Sequence, residues 1–505
     1  MRRFATILGV GLVVGGLGSF GLSAAAMAQD APLEVKVDWA KVTTSRSTPT
    51  LQVVVNPMLI RGAKLHDGSF AALKMLGADY VRYVPWLPYP RQAVAELDEP
   101  KSGKTSWDFQ YIDPTLEDFM KATEGHSVVL NFSTIPSWMY KTDKPVVVPD
   151  DPNQVFWKYT QGTELRDPSM KEISDYFARL LSWYTKGGLT DENGKWHESG
   201  HHYKIAYWEV LNEIDFEHHW SPQDYTKFYD AVTAAMLKVD PNLKFMGLAL
   251  AAPRQHPEMF EYFLNPANHR KGAPLDFITY HFYATPGPDQ TLNEWQHTFF
   301  AEADGFLTSV RFVEEIRKRE SPTTKTALNE LGVILSEDGK EIRTPGYVAK
   351  PEPAGYWNLA ASLYAYLYME SAKLGIDVLG ESQLVGYPSQ YPSVSMMNYN
   401  TAEPNARFWV LKLMKDNLGP GDKLAATSGG DKSLSIQAFE TKQGKALLVA
   451  NKRGRTTELT LPTEFDGGSV AMVAPSTGDH AAGTGTMSGR VLKLEPFEVA
   501  LVRVK

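Results

Sequence analysis

At 505 residues, with 43% hydrophobic and 22% charged positions, the chain exceeds one ordinary domain and holds enough apolar side chain for a large core. A formal net charge of -8 and the lack of any basic stretch argue against a nucleic-acid partner. The absence of cysteine excludes disulfides, thiol nucleophiles and thiolate metal sites.

Arg2 and Arg3 precede an apolar, glycine-rich run from Ile7 to Leu22, and small residues lead on to Ala26-Met27-Ala28. Basic, apolar and Ala-x-Ala parts in that order predict a secretory signal over 1–28 and export to a periplasm or out of the cell. The run is short and broken by glycines, which argues against a retained anchor, and no later segment is apolar enough to span a bilayer. Residues 29–50 contain a strand, 33–37, expected to join a sandwich formed by the chain's other end. Short apolar strands are then expected at 51–55, 80–84, 128–132, 205–211, 245–250, 277–282, 325–328 and 376–383. Helical stretches at 70–76, 111–120, 170–184, 224–239, 309–318 and 355–373 separate most neighbours. Strands alternating with helices imply parallel pairing, and eight such units predict an α/β fold, a (β/α)8 TIM barrel over 51–418. A doubly wound open sheet would call for a glycine-rich first turn, and Val55-Asn-Pro57 is not one. Over 419–505, short strands with turn residues between them predict an appended antiparallel β-sandwich.

Two Asn-Glu pairs carry the chemistry. Asn212-Glu213 ends the apolar run that begins at Ile205, and Asn329-Glu330 closes the run that begins at Lys325. In a parallel barrel the strand ends converge on one mouth, so distance along the chain is no obstacle to their meeting. Glycoside hydrolysis requires one carboxyl to protonate the leaving oxygen and another to meet the positive charge at the anomeric carbon. Glu213 is read as the acid/base and must be desolvated enough to keep its proton. Glu330 is read as the nucleophile and needs a cation or hydrogen-bond donors to stay ionised. Arg82 is the candidate cation, beside Glu330 or neutralising Glu209 inside the barrel, and Tyr283 is the candidate donor. Glu209 shares the strand parity of Glu213, so both are expected to face inward.

Asn212 is expected on the sugar 2-hydroxyl, and His281 is expected as a second sugar contact. Trp138, after the third strand, is a candidate stacking platform, with core packing as its alternative. His218 and His219 are expected as loop contacts to substrate. Neither has a carboxylate at the helical spacing of zinc proteases, so no metal is expected, and no cofactor. No Gly-x-Ser-x-Gly elbow or glycine-rich phosphate loop supports other chemistry.

Trp208-Glu-Val-Leu-Asn-Glu213, Tyr280-His-Phe-Tyr283 and Thr326-Ala-Leu-Asn-Glu330 together resemble the retaining glycoside hydrolases of clan A. Ser106-Trp-Asp-Phe-Gln-Tyr-Ile-Asp113 and Ile135-Pro-Ser-Trp138 are similar to glycoside hydrolase family 39, the family of β-xylosidases and α-L-iduronidases. The resemblance implies Glu213 as acid/base and Glu330 as nucleophile, supported by Asn212, His281, Tyr283 and Arg82. Leu211 stands where many relatives carry Trp, and Ile214 where Pro is common. Gly380-Glu-Ser-Gln-Leu384 lacks the Trp that often floors the sugar pocket. The expected protein is an exported, retaining, β-xylosidase-like exo-glycosidase acting on plant or microbial oligosaccharides. An endo-acting polysaccharide hydrolase on the same barrel and a non-catalytic carbohydrate-binding protein are the alternatives.

Overall fold

Eight strands close on themselves into a parallel barrel in the computed structural model, which describes residues 33–157, 159, 162–336, 338, 351–387 and 391–505. The signal segment expected over 1–28 lies outside the described residues. In chain order the first strands are β1 (Leu33–Thr44), β2 (Thr48–Val55), β3 (Val81–Pro85) and β4 (Val128–Leu130). There follow β5 (Gly188–Thr190), β6 (Trp196–Glu198), β7 (Tyr207–Glu209), β8 (Lys244–Leu250), β9 (Phe277–Ala284), β10 (Lys325–Val333) and β11 (Val378–Glu381). The barrel runs β2-β3-β4-β7-β8-β9-β10-β11 and back to β2, every pair parallel. β5 and β6 form a separate antiparallel hairpin.

Barrel strands are short and apolar because helices cover their outer faces and side chains fill their interior. Val129, Tyr207, Met246, Phe277, Ala327 and Val378 form one buried cluster, contributed by six of the eight strands. Farther along the strands the interior turns polar. Helix Pro222–Val239 shows how the sequence sets an outer helix: the Ser221 hydroxyl accepts from the Asp224 N–H at 3.1 Å and Pro222 opens the first turn.

The C-terminal part of the chain adds β12 (Lys423–Gly429), β13 (Leu434–Thr441), β14 (Gly444–Asn451), β15 (Thr457–Thr460), β16 (Ser469–Val473), β17 (Gly483–Thr486), β18 (Val491–Leu494) and β19 (Val499–Arg503). Their order is β17-β16-β19-β14-β13-β12-β1-β15-β18. The N-terminal β1 is therefore interior to this sheet, antiparallel to β12 and parallel to β15, with an irregularity between Asp38 and Val42. Val35, Leu459 and Leu492 meet Leu447, Val449 and Val502 in the sandwich core. Helix Tyr356–Leu374 is buried around nearly its whole circumference, as a helix held between two layers must be. Its Tyr364 hydroxyl donates to Leu379 O of the barrel at 2.7 Å, and its Ser362 hydroxyl to Asn451 O of the sandwich at 2.8 Å. Among the described residues, no helix is long and apolar enough to cross a membrane.

Candidate active site

The polar layer of the barrel is organised around Glu209 and Arg82, both fully buried. Glu209 accepts from Asn131 Nδ2 at 2.5 Å, Thr279 Oγ1 at 2.5 Å and Asn329 Nδ2 at 2.7 Å, and from Arg82 Nε. Arg82 spends its other donors on Gln52 Oε1 (2.6 Å), Glu330 Oε1 (2.5 Å) and Asn212 Oδ1 (2.6 Å). Both expected roles of Arg82 are therefore present at once. A planar guanidinium suits this work because its five N–H donors leave in fixed directions.

Glu213 does not reach the mouth by strand parity. β7 ends at Glu209, and the chain then turns through left-handed residues, Leu211 at φ 64° and Glu213 at φ 42°. Leu248 and Ala249 at the end of β8 also have positive φ, and the Glu213 N–H donates to Ala249 O at 2.8 Å. Non-glycine residues in this region are strained, and such strain gathers where a side chain must be aimed. The loop is anchored by Asp215, whose carboxylate accepts from the Ala251 N–H at 3.0 Å and the Ala252 N–H at 2.9 Å.

Glu330 lies on β10, beside β11. Gly380 on β11 makes room for it: a Cβ there would stand 3.0 Å from Asn329 O. An oxygen of Glu213 and one of Glu330 lie within 4.8 Å of each other. Retaining glycosidases place their carboxyls about 5–5.5 Å apart and inverting ones about 6.5–9.5 Å, so the pair has the retaining spacing.

The two carboxyls differ in charge preference. Burial raises the pKa of Glu213, and the negative charge of Glu330 adds to that, outweighing the opposing pull of His281. Burial would raise Glu330 too, but the charges of His281 and Arg82 and the hydrogen bonds from Tyr283 and Arg82 hold it below its ordinary value. The Tyr283 hydroxyl donates to Glu330 Oε2 at 2.6 Å and stands 2.5 Å from the Ser382 hydroxyl, which accepts from Gln52 Nε2 at 2.7 Å. Spacing alone would let Glu213, His281 and Glu330 ligate a metal ion. The Arg82 guanidinium already sits on Glu330, and its charge repels a second cation there.

The pocket over these groups spans about 490 Å³, the solvent at its open mouth included. Asn212, Glu213, Tyr283 and Glu330 line one part of it, with Gln52, Trp86, Gln383 and Tyr391 beside them and Val54, Val84, Ile334 and Val394 as apolar wall. Four residues expected to contact substrate lie outside this lining. His281 lies beneath the carboxyls, its ring fully buried, with Nδ1 3.0 Å from Glu213 Oε1 and 3.6 Å from Glu330 Oε2. Trp138 lies outside the lining, its indole N–H on Glu96 O at 2.9 Å and its ring covered by Arg166 at 4.5 Å. His219 is exposed, also outside the lining, with Nδ1 3.1 Å from Asp215 O. Its neighbour His218 is buried against Tyr140 and Trp220, and burial pushes its pKa down to about 4, so it is a neutral packing residue.

Sequence reasoning missed Gln52, Gln383 and Tyr391, which had no motif to mark them, and Glu217, which did. Glu217 stands four residues after Glu213, a spacing that brings side chains together on one helical turn. Trp86, one of several strand-end aromatics, is the one whose indole reaches this cluster, donating to Glu217 Oε1 at 2.9 Å.

Carboxyls poised for opposite protonation at the mouth of a barrel, with a sandwich attached, define a glycoside hydrolase. No curated protein matches the sequence. The family is nonetheless clear: the chain belongs to glycosyl hydrolases family 39, whose family model matches residues 69–324. Residues 433–502 match the C-terminal immunoglobulin-like domain of D-apionate lactonase. Among solved structures, the chain is similar to the GH51 arabinofuranosidase from Xanthomonas axonopodis pv. citri, with 10% identity and a TM-score of 0.64, covering 94% of this chain and 100% of that one. It is similar to the α-L-arabinofuranosidase from Thermotoga maritima at 14% identity and a TM-score of 0.62, covering 93% and 99%. A GH30 endoxylanase from Clostridium papyrosolvens C71 follows at 13% and 0.55, covering 94% and 99%. At such identities the likeness is one of fold.

Proposed function

We propose that the protein is an exported, retaining exo-glycosidase that removes terminal neutral sugars from plant or microbial oligosaccharides by double displacement, with β-xylosidase-like preference. The observation that carries this reading is the opposed charge preference of Glu213 and Glu330 at the retaining separation. In the first step a Glu330 oxygen attacks the anomeric carbon as the bond to the leaving oxygen breaks, and the Glu213 proton goes to that oxygen. Esterification removes the negative charge of Glu330, which is one cause of the raised Glu213 pKa. Glu213 therefore becomes the stronger acid at the moment it must turn into a base. It then takes a proton from water, whose oxygen displaces Glu330 and releases the sugar.

A neutral sugar is favoured because, among the described residues, the pocket lining holds no lysine or arginine to pair with a uronate, and Arg82 beneath it is committed to four partners. The apolar wall suits the C–H faces of a small pyranose. Export and a barrel of 51–418 with an accessory sandwich of 29–50 and 419–505 complete the proposal, supported by the residue pattern at the N-terminus and the pairing of β1 with β12.

The test is a panel of aryl glycosides with wild type and Glu330→Ala. Wild type should turn over an aryl xyloside and not an aryl glucuronide. The variant should be inactive until azide is added, and should then yield a glycosyl azide of inverted configuration. Undiminished turnover in Glu330→Ala without azide would remove Glu330 as nucleophile.

A further inference from the structure

The loop that carries Glu213 carries a second carboxyl for which the mechanism above has no use. Residues 213–217 form one tight turn, with the Phe216 and Glu217 N–H groups both donating to Glu213 O, at 2.8 Å and 2.6 Å. The turn folds Glu217 back toward the pocket. There its Oε1 accepts from the Trp86 indole N–H at 2.9 Å and from Asn212 Nδ2 at 3.0 Å. Both donors line the pocket. An amide with its N–H₂ on Glu217 and its oxygen on Arg82 Nη2, at 2.6 Å, has no freedom to flip, because its N–H₂ would then face the guanidinium, donor against donor. Among the described residues the second amide hydrogen of Asn212 has no partner.

We propose that Glu217 is a positioning residue that fixes the Asn212 amide and the Trp86 ring, so that one Asn212 N–H is presented to the sugar 2-hydroxyl. The inference rests on the glycosidase reading above. Contacts to the 2-hydroxyl strengthen as the oxocarbenium ion develops, so an amide held in advance contributes mainly to the transition state. Holding it with a carboxyl rather than with water also keeps the amide still while the sugar enters and leaves.

Glu217 acts as a neutral acid in this role. Burial pushes its pKa well above the ordinary carboxyl value, and the charge of Glu213 adds to the effect; the hydrogen bonds from Trp86 and Asn212 oppose it. Among the described residues, Glu330 on β10, Tyr140 in the loop after β4 and Tyr391 in the loop after β11 are further titratable groups coupled to it by charge. A charged Glu217 would stand beside the carboxylates of Glu213 and Glu330, whose negative charges raise its pKa further.

Two variants and two substrates test the proposal. Glu217→Gln keeps a neutral acceptor at Oε1, so kcat/KM should stay within about threefold of wild type and the alkaline limb of the pH profile should not move. Glu217→Leu keeps the bulk and removes the acceptor. Its kcat on an aryl glycoside should fall on the order of tenfold to a hundredfold with KM little changed, as for a contact made in the transition state. On the matching aryl 2-deoxyglycoside the same variant should lose little, since the hydroxyl that Asn212 serves is missing. Equal losses on both substrates would show a merely structural role and overturn the proposal. So would an alkaline limb displaced to lower pH in Glu217→Gln, which would reveal a charge on Glu217 in wild type. Wild-type protein inert toward every glycoside of the panel would overturn the glycosidase reading, and this inference with it.

Discussion

Glu330 is kept ionised by a small set of neighbours, and Tyr283 is the one that can be altered without leaving a buried charge unpaired. Tyr283→Phe deletes a donor that stabilises only the charged form of Glu330. The sign follows directly. Glu330 sits below its ordinary pKa, and the acid limb of kcat/KM is lost as pH falls through that depressed value. Removing a stabiliser of the anion moves the pKa up, so the acid limb should move to higher pH. The alkaline limb, which follows the proton on Glu213, should hold its place. The pair titrates as a unit, so the profile reports two macroscopic values. A pH–rate profile of Tyr283→Phe with an acid limb unmoved, or moved downward, would remove Tyr283 from this role. Arg82 is the poorer target: it is buried on four partners, and breaking a buried ion pair costs about 3–5 kcal/mol.

At the scale of strands and helices, the approach of β11 to β10 sets where the nucleophile stands. A Cβ on Gly380 would meet Asn329 O at 3.0 Å and Asn329 Cα at 3.1 Å, both backbone atoms that cannot swing away. Gly380→Ala should therefore displace β10 by a few tenths of an ångström, with an overpacking penalty of about 1–3 kcal/mol. Because reacting atoms must stand about 3–3.5 Å apart, kcat should drop more than stability suggests. Thermal melts and turnover on an activated glycoside would check this, and unchanged kcat with unchanged Tm would refute it. The barrel strands were legible because a parallel strand buried on both faces is a short apolar run whatever its neighbours. The end of β7 was not, because nothing in Val210-Leu-Asn-Glu213 announces two left-handed residues. Helix Leu292–Glu320 is far longer than the expected 309–318. Its start was in fact written in Thr291-Leu-Asn-Glu294, a capping box present in the fold, but interior polar residues hid the continuity. The two glutamates were legible because strand ends converge; Trp138 and His219 misled because being near a strand end says nothing about which way a loop folds.

Across the whole molecule, barrel and sandwich share more than a covalent link. β1 precedes the barrel in the chain yet lies between β12 and β15, so the sandwich is assembled from segments on both sides of the barrel. Phe439, Leu448, Val499 and Leu501 of the sandwich belong to the same buried apolar cluster as the barrel helices. Helix Tyr356–Leu374 presents apolar residues to both sides, and residues 33–505 form one compact unit. Independent domains would show separate unfolding transitions, whereas a shared core binds their stabilities together. Calorimetry of the full protein should therefore show one cooperative transition. A fragment of residues 29–418 would leave β1 without partners and the sandwich-facing side of Tyr356–Leu374 in water, an exposed apolar face that drives association. It should aggregate, or bind a hydrophobic dye and unfold without a sharp transition, and lose kcat/KM although every residue of the active site is still in it. The sandwich would then be structural support for the barrel, and a soluble, monodisperse fragment with full activity and a sharp melt would show that the barrel stands alone.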